Sequence, residues 1–146
     1  MMRKQQIWPP KRSAGFTLIE LLVVLVILGL LAGLVAPQVM KYLGTASTDT
    51  ARQQIANFST TLDLYRLEVG HYPTTEEGLQ ALIEAPAGAT RWNGPYLKKS
   101  LVPKDPWGNE YYYRSPGEHG PFDVYSLGAD NAPGGEGENQ DIVSWE

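Results

Sequence analysis

Gly15-Phe16-Thr17-Leu18-Ile19-Glu20, followed by Leu21-Leu22-Val23-Val24-Leu25-Val26-Ile27-Leu28-Gly29-Leu30-Leu31-Ala32-Gly33-Leu34-Val35-Ala36, is the stretch on which the fold turns. From Phe16 to Ala36 there are 21 residues, and only Thr17 and Glu20 are neither apolar nor small. About 20 such residues cross the hydrocarbon core of a bilayer as a helix. Upstream, Arg3, Lys4, Lys11 and Arg12 give the first fifteen residues a charge of +4 with no acid. By the positive-inside rule, that cluster holds the N-terminus in the cytoplasm and sends the rest outward.

Three readings of this segment compete. A secretory signal peptide has an apolar region of about 7–15 residues. This run is longer, and its best small-residue exit, Ala36, is followed by Pro37. A plain membrane anchor leaves Glu20 unexplained, because an ionisable group near a membrane helix end is costly and points to function. Snorkelling of Glu20 to the headgroups is its ordinary alternative. The third reading takes the whole junction. Basic leader, Gly15, Phe16, Glu20 and apolar helix, in that register, resemble the class III signal of type IV pilins and pseudopilins. The resemblance implies cleavage by a prepilin peptidase after Gly15 and N-methylation of Phe16 as the mature N-terminus. It also implies an assembly role for Glu20, which becomes the fifth mature residue. A carboxylate there can pair with the Phe16 α-amino group of a neighbouring subunit. Such a pair specifies register more than it stabilises, since desolvation cancels much of the attraction.

Working outward, Gly29 and Gly33 form a small-xxx-small pair that suits close helix approach, or are incidental to a membrane helix. Pro37 lacks an N–H for the Gly33 carbonyl, which predicts a kink or a local opening. Beyond Gly44, Ala51, Ile55, Phe58, Leu62, Tyr65 and Val69 form one apolar stripe at helical spacing. Gly70 stands at the position of a C-terminal cap, with Pro73 soon after. A single long helix from about Phe16 to Val69 follows, possessing an apolar first half and an amphipathic second half that packs on a sheet. At ~1.5 Å per residue it extends roughly 80 Å. Thr74 and Glu77 have capping-box spacing ahead of a short helix that buries Leu79, Leu82 and Ile83. Glu110–Arg114 and Phe122–Ser126 read as a hairpin, with Ile142–Trp145 as a third strand.

The whole chain has 146 residues, a net charge of −4 and no cysteine. The acidic balance argues against nucleic-acid binding. The lack of cysteine excludes a disulfide framework, a thiolate zinc site and a cysteine nucleophile. Two histidines make a multi-histidine metal centre unpromising: His71 beside the helix C-terminus, and His119 read as solvated in a turn. No G-x-S-x-G elbow is present, and Gly134-Gly135-Glu136-Gly137 lacks the Gly-Lys-Ser/Thr of a phosphate loop. No catalytic residue is therefore assigned, and the chain is read as a non-enzyme.

Residues 121–146 hold six acids and no base. Composition alone favours a solvated, flexible loop. Calcium is the physical alternative, taking 6–8 oxygen ligands in flexible geometry. Here a wider resemblance enters. Tyr72-Pro73-Thr74-Thr75-Glu76-Glu77-Gly78-Leu79, Asp105-Pro106-Trp107-Gly108-Asn109 and Asp123-Val124-Tyr125-Ser126-Leu127-Gly128-Ala129-Asp130 resemble the major pseudopilins of type II secretion systems. Type IVa major pilins usually close this region with a disulfide, which this chain cannot form, whereas major pseudopilins hold it with calcium. The resemblance implies side-chain ligands from Asp130, Asp141 and Asn139 and backbone carbonyls from Leu127 and Ala132. Asn139 stands near where related loops often carry an acid, and Glu136 or Glu138 can contribute instead.

The expected fold is α+β and pilin-like: a long N-terminal helix on a small antiparallel sheet. The expected division is a leader at 1–15, a membrane and fibre-core helix at 16–37, and a periplasmic globular domain at 38–146. The implied function is the main subunit of a periplasmic pseudopilus that drives folded proteins across the outer membrane. Implied partners are copies of itself in a helical homopolymer, minor pseudopilins, prepilin peptidase, the inner-membrane assembly platform and the membrane. The implied place is the inner membrane, single-pass, and then the assembled fibre. A type IV pilus subunit or a minor pseudopilin is the alternative.

Overall fold

A computed structural model describes residues 14–146. Most of the expected leader, its four bases included, lies outside the described residues. The chain divides into two compact units between Val39 and Met40. The first carries the exposed, apolar start of α1 (Leu18–Val69), a helix long and apolar enough to cross a membrane. Among the described residues, nothing lies within 4 Å of a Cβ placed on Gly29 or Gly33.

The expected opening at Pro37 is not found, since α1 is helical through it. Proline removes one hydrogen bond and crowds the carbonyl four residues back. Several uninterrupted turns on either side absorb that local loss. α1 ends as the sequence predicts. Gly70 takes φ 100° and its N–H donates to the Arg66 carbonyl at 2.8 Å, a left-handed cap suited to glycine.

In the second unit, Ala51, Ile55, Phe58, Leu62 and Tyr65 are buried, while Val69 is half-buried. The stripe starts two positions earlier than the apolar pattern shows, with Gly44 and Thr48. Thr48 is tolerated there because its hydroxyl donates to the Gly44 carbonyl at 3.1 Å. Leu79, Ala81, Leu82, Tyr111, Val124 and Ile142 complete the core, and Phe58 meets Tyr111 edge-to-face at 5.1 Å. Burial and the nearby Asp105 carboxylate push the Tyr111 phenol upward.

The Thr74–Glu77 box forms in both directions: the Thr74 N–H donates to Glu77 Oε2 at 2.8 Å, and the Glu77 N–H to Thr74 Oγ1 at 3.2 Å. It caps a turn rather than the predicted helix. Gly78 at φ 61° breaks the spiral, and a four-residue 3₁₀ helix, Leu79–Leu82, follows. Ala81, not Ile83, joins Leu79 and Leu82 in the core.

The sheet is antiparallel in the order β1 (Tyr112–Arg114), β2 (Asp123–Ser126), β3 (Ile142–Val143). Tyr112 pairs with Tyr125, and Tyr125 with Val143. All three strands are shorter than predicted. Val124 donates its N–H to Ser144 Oγ at 3.1 Å and accepts from the Ser144 N–H at 2.9 Å.

Candidate functional site

Two places carry the residues the sequence singles out. The first is the start of α1. Gly15 and Phe16 are exposed and precede the helix. Glu20 does not extend freely. Its Oε2 accepts from the Thr17 N–H at 2.8 Å and the Thr17 hydroxyl at 3.0 Å. The Glu20 N–H donates in turn to Thr17 Oγ1 at 3.2 Å. This is a second capping box, satisfying helix N–H groups that have no partner within the helix. The Thr-x-x-Glu spacing ahead of an apolar run is the sequence signal for this box, which gives Glu20 a local role beside the intersubunit one.

The second place is the segment from β2 to β3. Leu127 is half-buried, Asp130, Ala132 and Asn139 are exposed, and Asp141 is half-buried. The segment is not the loose loop that composition favours. Gly128, Asn131, Gly134, Gly135 and Gly137 all take positive φ. Two of those glycines are required by close approach. A Cβ on Gly128 would stand 2.7 Å from the Glu138 carbonyl oxygen, and one on Gly135 would stand 2.5 Å from that of Asn139. The Ala129 N–H donates to the Glu138 carbonyl at 2.8 Å, and the Gly134 N–H to Asp141 Oδ2 at 3.0 Å. The chain doubles back, so Gly134 and Gly135 lie against Asn139 and Asp141. Asp130 folds its own turn, with Oδ1 accepting from the Ala132 N–H at 3.2 Å.

The fit of this donor set to a cation turns on its oxygens. Asp141 Oδ1 is buried and has no hydrogen-bond partner among the described residues. Of the six acids in 121–146, only Asp123 has an ion pair among the described residues. No cluster of three or more His, Cys, Asp or Glu that could hold a metal stands among the described residues. A site here would combine two carboxylates with amide and carbonyl oxygens, an all-oxygen set that suits calcium over softer metals. Glu138 is turned elsewhere: its Oε1 accepts from the Trp107 indole N–H at 3.4 Å.

Three polar residues that frame the loop escape the sequence reading. Asp105 is buried in the Asp-Pro-Trp-Gly-Asn turn. Its Oδ1 accepts from the N–H groups of Asn109 at 2.8 Å and Trp107 at 3.1 Å, and its Oδ2 from the Ser126 hydroxyl at 2.7 Å. Asn109 Nδ2 donates to the Gly128 carbonyl at 3.2 Å, so this turn clamps the base of the loop. Asp123, fully buried, gathers the Glu118 N–H at 2.8 Å, Arg114 Nη2 at 3.1 Å and His119 Nδ1 at 3.2 Å. Burial pushes its carboxyl upward, but those bonds together hold it below the usual aspartate value. His119 is therefore not merely solvated, and its ring also stacks on Trp145 at 3.9 Å.

Comparison with known proteins agrees along nearly the whole chain. Residues 10–36 match the prokaryotic N-terminal methylation motif, and residues 38–145 match the family model for type II secretion system (T2SS), protein G. A Pseudomonas aeruginosa PAO1 protein named type II secretion system core protein G is 47% identical over 100% of this chain and 99% of its own length. A Vibrio cholerae protein of the same name is 44% identical over 92% of this chain and 93% of its own. The crystal structure of the major pseudopilin from the type 2 secretion system of enterohaemorrhagic Escherichia coli superposes with a TM-score of 0.61. That match is 33% identical and covers 73% of this chain and 92% of the other. The pilus-subunit alternative is not favoured: this chain belongs to the type II secretion system protein G family, the major pseudopilins.

Proposed function

We propose that this chain is a structural, non-catalytic subunit that polymerises into a periplasmic pseudopilus and drives export of folded proteins across the outer membrane. One observation carries the reading: a helix whose start is exposed and, apart from Glu20, apolar or small from Leu18 to Ala36. Such a surface needs a bilayer or copies of itself. Heterologous contacts between identical helices that do not close a ring generate a filament.

In this account, prepilin peptidase cuts after Gly15 at the cytoplasmic face and methylates Phe16. Cleavage removes the four leader bases, so the net charge passes from −4 to −8. The Phe16 amine of one subunit then pairs with Glu20 of its neighbour, replacing the bonds that Glu20 makes to Thr17. An inner-membrane platform powered from the cytoplasm supplies the work of extraction, and minor pseudopilins join the same fibre. In the globular unit, Asp130, Asp141 and Asn139, with the Leu127 and Ala132 carbonyls, would hold one calcium ion. Calcium would supply the positive charge that the orphaned Asp141 oxygen and its unpaired acidic neighbours call for.

The test is Glu20→Ala in cells carrying the secretion machinery. Leader removal should be normal while filaments are absent or greatly slowed. Normal filaments from this variant would sink the pairing.

A further inference from the structure

Glu138 stands where three segments meet. Its methylenes lie over Gly44, a buried position on α1: a Cβ there would be 2.7 Å from Glu138 Cγ and 2.9 Å from Cδ. Its carboxylate takes the Trp107 indole N–H, and Trp107 belongs to the turn that clamps the loop base. Its carbonyl takes the Ala129 N–H across the loop, at a spot that only a glycine at 128 leaves open. Glycine within a helix costs about 1 kcal/mol relative to alanine, so an unused Gly44 would be a poor choice there. Aspartate at 138 would be one methylene shorter, and an apolar residue would offer Trp107 no acceptor.

We propose that Glu138 is a positioning residue: it seats the C-terminal loop on α1 at Gly44 and thereby sets the cation affinity of Asn139 and Asp141. The second half rests on the calcium reading above. Asn139 follows Glu138 directly and Asp141 lies three residues on, so any shift of the loop backbone that follows loss of the Glu138 side-chain seat is carried to both. Partners that orient metal ligands without touching the metal typically change affinity about 10–100-fold when removed.

Calcium titration of the full-length chain in detergent, stripped of metal beforehand, tests this. Gly44→Ala changes no ligand and favours the helix, yet displaces Glu138. It should weaken calcium about 10-fold or more, as should Glu138→Ala. Glu138→Gln keeps an acceptor for Trp107 and should restore affinity to within about threefold of the parent. Trp107→Phe combined with Glu138→Ala should cost no more than either alone, the sign of one shared contact. Wild-type affinity in Gly44→Ala would overturn the proposal. So would Glu138→Gln as weak as Glu138→Ala, which would make Glu138 a direct ligand. If the parent chain binds no calcium, the calcium reading falls by itself. The seat is then judged by limited proteolysis in EDTA. Faster cleavage within residues 128–140 of Gly44→Ala supports it, and an unchanged rate overturns it.

Discussion

Replacing Asp130 and Asp141 together by alanine should abolish the thermal response of the protein to calcium. The magnitude follows from the loop. Asp141 Oδ1 is buried with no partner among the described residues, and its other oxygen is occupied by the Gly134 N–H. An unsatisfied buried polar group costs about 1–3 kcal/mol, and more when charged. A bound cation would remove that cost and, on the proposed ligand set, link Asp141 to the turn that Asp130 builds. Calcium at about 100 times its dissociation constant stabilises the folded state by about 2.7 kcal/mol. For a unit of about 100 residues, 1 kcal/mol is worth about 4 °C or slightly more, which puts the shift near 10 °C. The assay is thermal unfolding of the full-length chain in detergent, with calcium or EDTA. Comparing each variant with itself in EDTA separates lost metal from lost hydrogen bonds. An undiminished calcium shift in the double variant would refute the ligand assignment.

Further outcomes follow from the same contacts. Asp123→Ala leaves the Glu118 N–H and Arg114 Nη2 without their acceptor, although Arg114 Nη1 keeps the Glu118 carboxylate at 2.6 Å, and should cost about 2–3 kcal/mol in denaturant unfolding. Because the folded Asp123 carboxyl lies below its unfolded value, its contribution is complete above the ordinary aspartate pKa of about 3.9. That contribution is lost as pH falls through the lower, folded value, so the stability gap between parent and Asp123→Ala should close in acid. Asp105→Ala should loosen both the 105–109 turn and the loop, seen as faster hydrogen exchange at Trp107, Asn109 and Gly128. Leu62→Ala, at a fully buried site, should cost about 2–5 kcal/mol and leave calcium affinity unchanged in the protein that stays folded.

What could be read in the sequence was whatever depends on periodicity and local chemistry. The Ala51–Tyr65 stripe, the Gly70 cap and the Thr74–Glu77 box need only neighbours within a few residues, and each is where the spacing puts it. The buried carboxylates were not legible. Asp105 meets Ser126 from 21 residues away, and nothing in either segment marks that pairing. Asp123 looked like one more member of an acidic tail, but the hairpin brings Arg114 and His119 onto it. The break at Gly78 is not legible because a capping box predicts a helix start, while the positive φ that ends it shows only in the backbone. Thr17 is a different case: its spacing to Glu20 is legible, because a capping box needs only residues three apart.

Processing at the Gly15–Phe16 junction is the most direct mark of this class of subunit. Intact mass of the protein extracted from membranes of its own host tests it. The expected value is the mass of residues 16–146 plus one methyl group. A mass that retains residues 1–15 would contradict it.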